Sequence, residues 1–152
     1  MKIIGTIEKS KDNLYSIYPD KDIDDCAPFG YGLSIEEAKA DLFAGIEEFK
    51  ELKRKELGYV PKSFDNLTIE FRYDVSTLFE ELDFLNISKF ARYAGVNESK
   101  MRQYTSGVCT PGVKASEKIS KALITIAEIL IKSSMVPMDL SESLKNNDTH
   151  RA

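Results

Sequence analysis

The sequence predicts an α+β protein in two parts, a small antiparallel sheet with one covering helix, followed by an all-α helix-turn-helix domain. Three observations predict it. Up to Tyr73, strand-like stretches surround a single long amphipathic helix. From Val75 onward the strand signals cease, and short helical segments separated by Asn86, Gly95 and Gly107 take over. Charge changes at the same place: residues 1–74 hold 11 basic and 16 acidic side chains, a balance of −5, whereas 75–152 hold 10 and 9, a balance of +1. The expected organisation is an α+β domain at 1–74, a helical domain at 75–134 and a polar tail at 135–152.

Lys2 to Glu8 and Leu14 to Tyr18 are rich in Ile and Tyr and are separated by Ser10-Lys11-Asp12-Asn13, a turn-forming cluster, so they read as a β-hairpin. A third short strand is expected near Phe29 to Leu33, where Gly30 and Gly32 signal a bulge or a close backbone approach. A helix follows. Ser34 can accept from the amide of Glu37 while Glu37 reaches back, and Leu33 can staple against Ala38, the signature of a capping box. Ile35, Ala38, Leu42, Ile46, Phe49 and Leu52 recur at intervals of three and four and share one face, which should cover the sheet. Gly58, after a basic last turn, marks the stop. Beyond Pro61, Leu67 to Tyr73 alternates apolar and polar residues as a strand with one buried face must.

In the second half, Asn86 to Gly107 reads as two segments of helical length joined by Gly95-Val96-Asn97. Asn86 and Asn97 are placed as N-caps, and Gly95 suits the positive-φ turn between them. Phe90, Ala91, Ala94, Val96, Met101 and Tyr104 fall where the two helices would meet, with Ala91 small enough for close approach. A last helix is expected over Lys114 to Lys132, with Ile119, Leu123, Ile126 and Leu130 as its stripe. That stripe serves either packing within the domain or a dimer seam. Pro137 and the polar stretch after Asp139 read as a frayed tail.

Composition excludes several functional classes. With 42% hydrophobic and 30% charged residues the chain is neither disordered nor collagen-like. Its longest apolar run, Ala122 to Ile131, is broken by Glu128 and is too short to span a membrane. No apolar signal segment follows Met1, so a cytoplasmic location is expected. Cys26 and Cys109 lack CxxC spacing, and His150 is the only histidine, which argues against a disulfide framework, a zinc site or His-based catalysis. P-loop, GxGxxG and GxSxG motifs are absent. No enzyme activity, cofactor or metal is expected.

The remaining chemistry is that of binding. Asn86 to Lys121 carries Lys89, Arg92, Lys100, Arg102, Lys114, Lys118 and Lys121 against Glu98 and Glu117, a local balance of +5 suited to phosphates. If the second motif helix enters a major groove, it presents Asn97, Glu98, Ser99, Lys100, Arg102, Gln103 and Ser106. Arg102 could read guanine and Gln103 adenine, while Glu98 could accept from cytosine or simply repel phosphate. Asp20, Asp22 and Asp24 have the opening spacing of a calcium loop, but Asp25 stands where Gly is needed and Tyr31 where Glu is needed. A solvated acidic loop is the plain reading, and mimicry of RNA phosphates toward a basic partner is the sharper one. Glu8 and Glu70, the sheet carboxylates a nuclease would use, are isolated in the sequence.

The chain resembles the HicB-type antitoxins of bacterial toxin-antitoxin pairs. The likeness rests on Tyr18-Pro19-Asp20, on Gly30-Tyr31-Gly32-Leu33-Ser34-Ile35-Glu36-Glu37-Ala38 opening the helix, and on Leu85 to Gly95 through Met101-Arg102-Gln103-Tyr104 and Gly107. This second stretch is similar to HicB variants with a lambda-repressor-like unit. The resemblance implies a partial ribonuclease-H-like first domain that masks a small HicA-type RNA-cleaving toxin. It implies a second domain that binds operator double-stranded DNA as a homodimer or higher homo-oligomer and represses its own operon. Two features depart from the family: the acidic loop from Asp20 to Phe29 is longer than usual, and Ile87 stands where a phosphate-contacting Gln is customary. The competing reading from residues alone is a stand-alone helix-turn-helix transcriptional regulator whose first domain oligomerises or binds a ligand. A nuclease, active or degenerate, is the third.

Overall fold

The computed structural model describes residues 1–134. The expected tail at 135–152, with Pro137 and His150, lies outside the described residues. The chain forms an α+β structure that divides into two compact units, Met1–Leu78 and a second beginning at Phe79.

The first unit runs β1 (Lys2–Lys9), β2 (Tyr15–Pro19), β3 (Gly30–Gly32), α1 (Ile35–Leu57) and β4 (Thr68–Tyr73), with a short 3-10 turn at Lys62–Phe64. The hairpin turn closes as its composition predicts: Ser10 N–H donates to Leu14 O at 2.8 Å and Asn13 takes a φ of 60°. Ile3, Ile7 and Ile17 point to one face of the sheet and meet Ala38, Leu42 and Ile46 of α1, all buried. Full burial of an Ile or Leu contributes about 1.5–3 kcal/mol, so this layer contact is the unit's principal support.

The four strands lie in the order β3-β2-β1-β4. β1–β2 and β2–β3 are antiparallel, but β4 runs parallel to β1, pairing Ile3 with Ile69 and Gly5 with Phe71. The sheet is therefore mixed, which corrects the expected antiparallel sheet. The reason is topological. β3 already runs in the direction of β1, and α1 carries the chain across the sheet as a crossover helix, after which the next strand enters in the same direction.

Ser34 Oγ accepts from Glu37 N at 3.1 Å, but the Glu37 carboxylate accepts from Leu33 N at 2.8 Å, one residue before the expected amide. The Leu33 staple does not form, because that side chain is 72% exposed. Leu52, expected on the buried face, is also exposed, since the helix outruns the sheet beneath it. Gly58 ends α1 with a φ of 79°. At Gly30 and Gly32 the close-approach alternative holds: a Cβ on Gly30 would lie 2.1 Å from Ala38 O, and one on Gly32 would lie 2.6 Å from Ala38 N. These glycines let α1 settle directly on β3.

Asp74 begins α2 (Val75–Glu81) by accepting from the amides of Ser76 and Thr77 at 3.1 and 2.9 Å. The buried Thr77 hydroxyl accepts from Lys9 N at 2.8 Å, which holds the start of this helix to the end of β1. The first unit accordingly extends to Leu78, inside α2.

The second unit contains α3 (Ile87–Ala94), α4 (Glu98–Thr105) and α5 (Val113–Lys132). Asn86 caps α3 by accepting from Lys89 N, and Asn97 caps α4 by accepting from Lys100 N, at 2.9 and 3.1 Å. Gly95 has a φ of 68°, and the following Val96 N–H donates to Ala91 O, so the turn follows a Schellman pattern. Ala91, Met101, Ile119 and Ala122 form the buried centre, with Phe79 and Phe90 packed edge to face at 4.9 Å. Ala91 has no bulk beyond Cβ, which suits a close crossing. No helix among the described residues is long and apolar enough to cross a membrane.

Candidate nucleic-acid interface

The rotation of α4 is set by Met101, which is fully buried, with Tyr104 half-buried beside it. Because side chains advance about 100° per residue, Ser99, Lys100, Arg102, Gln103 and Ser106 are left exposed. Asn97 is exposed too, but its side-chain oxygen is used as the N-cap. Glu98 is half-buried. The predicted set is thus brought together on one short helix, with Asn97 and Glu98 differing from the rest in their local bonds.

Those bonds define the surface's electrostatics. Arg92 Nη1, from the last turn of α3, donates to Glu98 Oε1 at 2.7 Å. Arg102 Nη2 lies 3.7 Å from the other oxygen of the same carboxylate and donates to Ser88 Oγ at 2.8 Å. The hydrogen bond from Ser88, and then that from Arg92, hold the Glu98 carboxyl below the usual range. Lys100 Nζ donates to Gln103 Oε1 at 3.2 Å. All these groups reach solvent and can exchange partners at small cost.

A second basic feature lies beside the α3–α4 turn. Lys118 Nζ, from α5, donates to Gly95 O at 2.9 Å. A groove of about 220 Å³ is lined here by Asn97, Lys100, Tyr104, Lys114 and Lys118. Another of about 430 Å³ continues past Arg92, Tyr93, Lys121 and Thr125. Sequence reasoning placed Lys100 on the second motif helix but counted Arg92, Lys114, Lys118 and Lys121 only as a charged segment; their convergence needs the packing of α5 on α3. Ile87, at the customary Gln position, is half-buried.

A third feature of the second unit is apolar. Phe84, Tyr93, Ile129 and Leu130 are largely exposed around a groove of about 540 Å³ floored by Phe90 and Ile126. Of the predicted α5 stripe, Ile119 is buried, Leu123 and Ile126 are half-buried and Leu130 is 65% exposed. The stripe therefore leaves its own unit over the last turns.

In the first unit the acidic loop is not simply solvated. Ile23 and Cys26 exchange backbone hydrogen bonds at 2.9 and 3.0 Å and turn into the core, leaving the carboxylates outside. Asp20 Oδ1 accepts from Ile4 N at 2.9 Å, Asp24 pairs with the Ser63 hydroxyl, and Asp25 lies 3.8 Å from Lys53 Nζ. Asp22 faces the Cys26 side of the turn, where burial and then its charge push the thiol up. The four point to separate tasks. Among the described residues no group of His, Cys, Asp and Glu could hold a metal. Glu70 is paired with Lys2 at 2.6 Å on the open face of the sheet, while Glu8 raises the Tyr18 hydroxyl after the larger effect of its burial.

Comparison with protein-family models, with curated proteins and with solved structures finds no match to this chain.

Proposed function

We propose that the second unit is a helix-turn-helix that binds duplex DNA, and that the protein is a transcriptional regulator. The carrying observation is α4: its rotation is locked by Met101, and it displays Ser99, Lys100, Arg102, Gln103 and Ser106 to solvent beside a basic wall. Gln103 and Arg102 supply the bidentate groups that adenine and guanine edges accept in a major groove. Lys100, Lys114 and Lys118 supply charge for the flanking phosphates. A second copy of the chain covers the apolar end of α5, because one eight-residue reading helix spans only a half-site and the exposed Ile129 and Leu130 offer a self-complementary seam.

More particularly, the protein acts as an antitoxin of HicB type. The second unit binds its operator and the first, partly ribonuclease-H-like unit masks a small HicA-type toxin. This step rests on the sequence resemblance. The exposed Phe29 and Tyr31, tilted against each other at 5.6 Å where the acidic loop ends, support it by offering aromatic anchors beside negative charge to a basic protein.

Two experiments test the reading. Electrophoretic shift on the DNA upstream of the gene should show binding whose logarithm falls with log salt at a slope of about −3 if three phosphates are neutralised. No binding at low salt refutes the DNA reading. Co-expression with a neighbouring short basic reading frame should relieve its toxicity and yield a co-purifying complex; failure of both leaves a stand-alone regulator.

A further inference from the structure

Glu98 is the odd member of a surface offered to a polyanion. It stands in the first turn of α4, where its charge faces the approaching phosphates, yet it is held by groups from both helices. Arg92 reaches it across the turn at 2.7 Å, Arg102 approaches from one turn further along α4 at 3.7 Å, and Ser88 bonds both Glu98 and Arg102. Both arginines of this surface are therefore engaged by one carboxylate before any DNA arrives.

Resting on the DNA-binding reading, we propose that Glu98 sets sequence specificity by holding Arg92 and Arg102 back from indiscriminate phosphate contacts. On DNA of other sequence no guanine stands in register with Arg102, and both arginines can serve only by neutralising phosphates. Leaving Glu98 then exchanges one ion pair for another and strands a carboxylate beside the polyanion, so little is gained. At the right sequence Arg102 gives up only the longer contact, at 3.7 Å, for a guanine edge whose two acceptors match the guanidinium fork, while Arg92 stays on Glu98 at 2.7 Å and the carboxylate is not stranded. Ser88 Oγ, at 2.8 Å from Arg102 Nη2, keeps the guanidinium oriented during this exchange. Glu98 thus withholds two arginines from phosphates on other sequences, and gives up only the weaker of its two contacts where Arg102 finds a base. It is a specificity-determining residue that acts through its arginine partners.

Glu98→Gln tests this, since it keeps the size of the side chain and removes its charge. The probes are the duplex upstream of the gene and a shuffled duplex of the same composition, titrated at several salt concentrations. Affinity for the shuffled duplex should rise about three- to tenfold, with a salt slope steeper by about one, as freed arginines neutralise more phosphate. Affinity for the upstream duplex should change less, so the ratio between the two narrows. Without DNA, the side-chain N–H signals of Arg92 and Arg102 should exchange faster with water in Glu98→Gln than in the parent. Unchanged affinity for both duplexes while the parent protein binds would overturn the proposal and leave Glu98 a helix-end residue. A loss confined to the upstream duplex would overturn it in favour of direct base reading by Glu98. If the parent binds neither duplex, the DNA reading itself fails, and the inference with it.

Discussion

Replacing Gly30 with alanine would place a methyl group 2.1 Å from the carbonyl oxygen of Ala38 and 2.7 Å from Cβ of Leu42. Ordinary contact begins at about 3.4 Å, so β3 and α1 must part by roughly 1 Å to admit it. The obstruction is helix backbone, which cannot rotate away as the end of a side chain can. Separation would loosen Leu42 and Ile46 from Ile17 across the layer. Overpacking alone costs about 1–3 kcal/mol, and the opened contact adds to it, so a loss near 3 kcal/mol is expected. With a urea slope of about 1–1.5 kcal/mol/M for a small unit, the midpoint should fall by roughly 2–3 M. At Gly45, also on α1, an added methyl group would meet nothing within 4 Å. Gly45→Ala should therefore gain about 0.8–1 kcal/mol from helix propensity alone. The assay is urea unfolding followed by circular dichroism, with amide exchange at Ile17 to report the first unit separately. A Gly30→Ala midpoint equal to that of the parent would refute the close approach of β3 to α1.

Other perturbations address single devices. Asp74→Ala removes the acceptor for Ser76 N and Thr77 N and should cost about 1–2 kcal/mol in thermal unfolding; no change would mean the cap is dispensable. Met101→Ala empties the centre of the second unit and should cost about 2–5 kcal/mol, with DNA affinity falling in parallel. Iodoacetamide at mildly alkaline pH should label the half-exposed Cys109 well before Cys26, whose thiol is buried and raised by burial and then by Asp22; equal rates by mass spectrometry would contradict that core position. The lowered Glu98 carboxyl implies that its contribution is fully present above the ordinary Glu range and lost as pH falls through the folded value. An NMR titration should find its midpoint below the ordinary Glu value in the parent and closer to that value in Ser88→Ala.

Local signals in the sequence carry much of this architecture. Ser34, Asn86 and Asn97 each bond the amide three residues on, because capping is settled within one turn of chain. The Ile3/Ile7 and Ala38/Leu42/Ile46 patterns likewise point inward, because burial follows the period of the element. Leu33 and Leu52 fail for the complementary reason: periodicity gives a face but not the extent of the surface opposite it. The acidic loop shows the same limit, since its charge hid Ile23 and Cys26, whose burial depends on a turn with no strong composition signal.

At the candidate interface, the exposed set on α4 was legible because Met101 and Tyr104 mark the inner face and the others follow at steps of about 100°. Glu98 and Arg102 are four apart, a pairing that spacing alone suggests. Arg92 with Glu98, Arg102 with Ser88, and Lys118 with Gly95 are contacts between elements, decided by how α3, α4 and α5 pack.

By itself, the sequence determined the α+β composition, the strand and helix positions, the caps and the polar face of α4, all of which depend on interactions within a few residues. Only tertiary structure decided that β4 lies parallel to β1 beyond a crossover, that Gly30 and Gly32 exist to admit α1, and that one carboxylate holds two arginines. Strand direction depends on where α1 delivers the chain, and ion-pair partners on which helix faces meet. Neither is encoded by the period of any single segment.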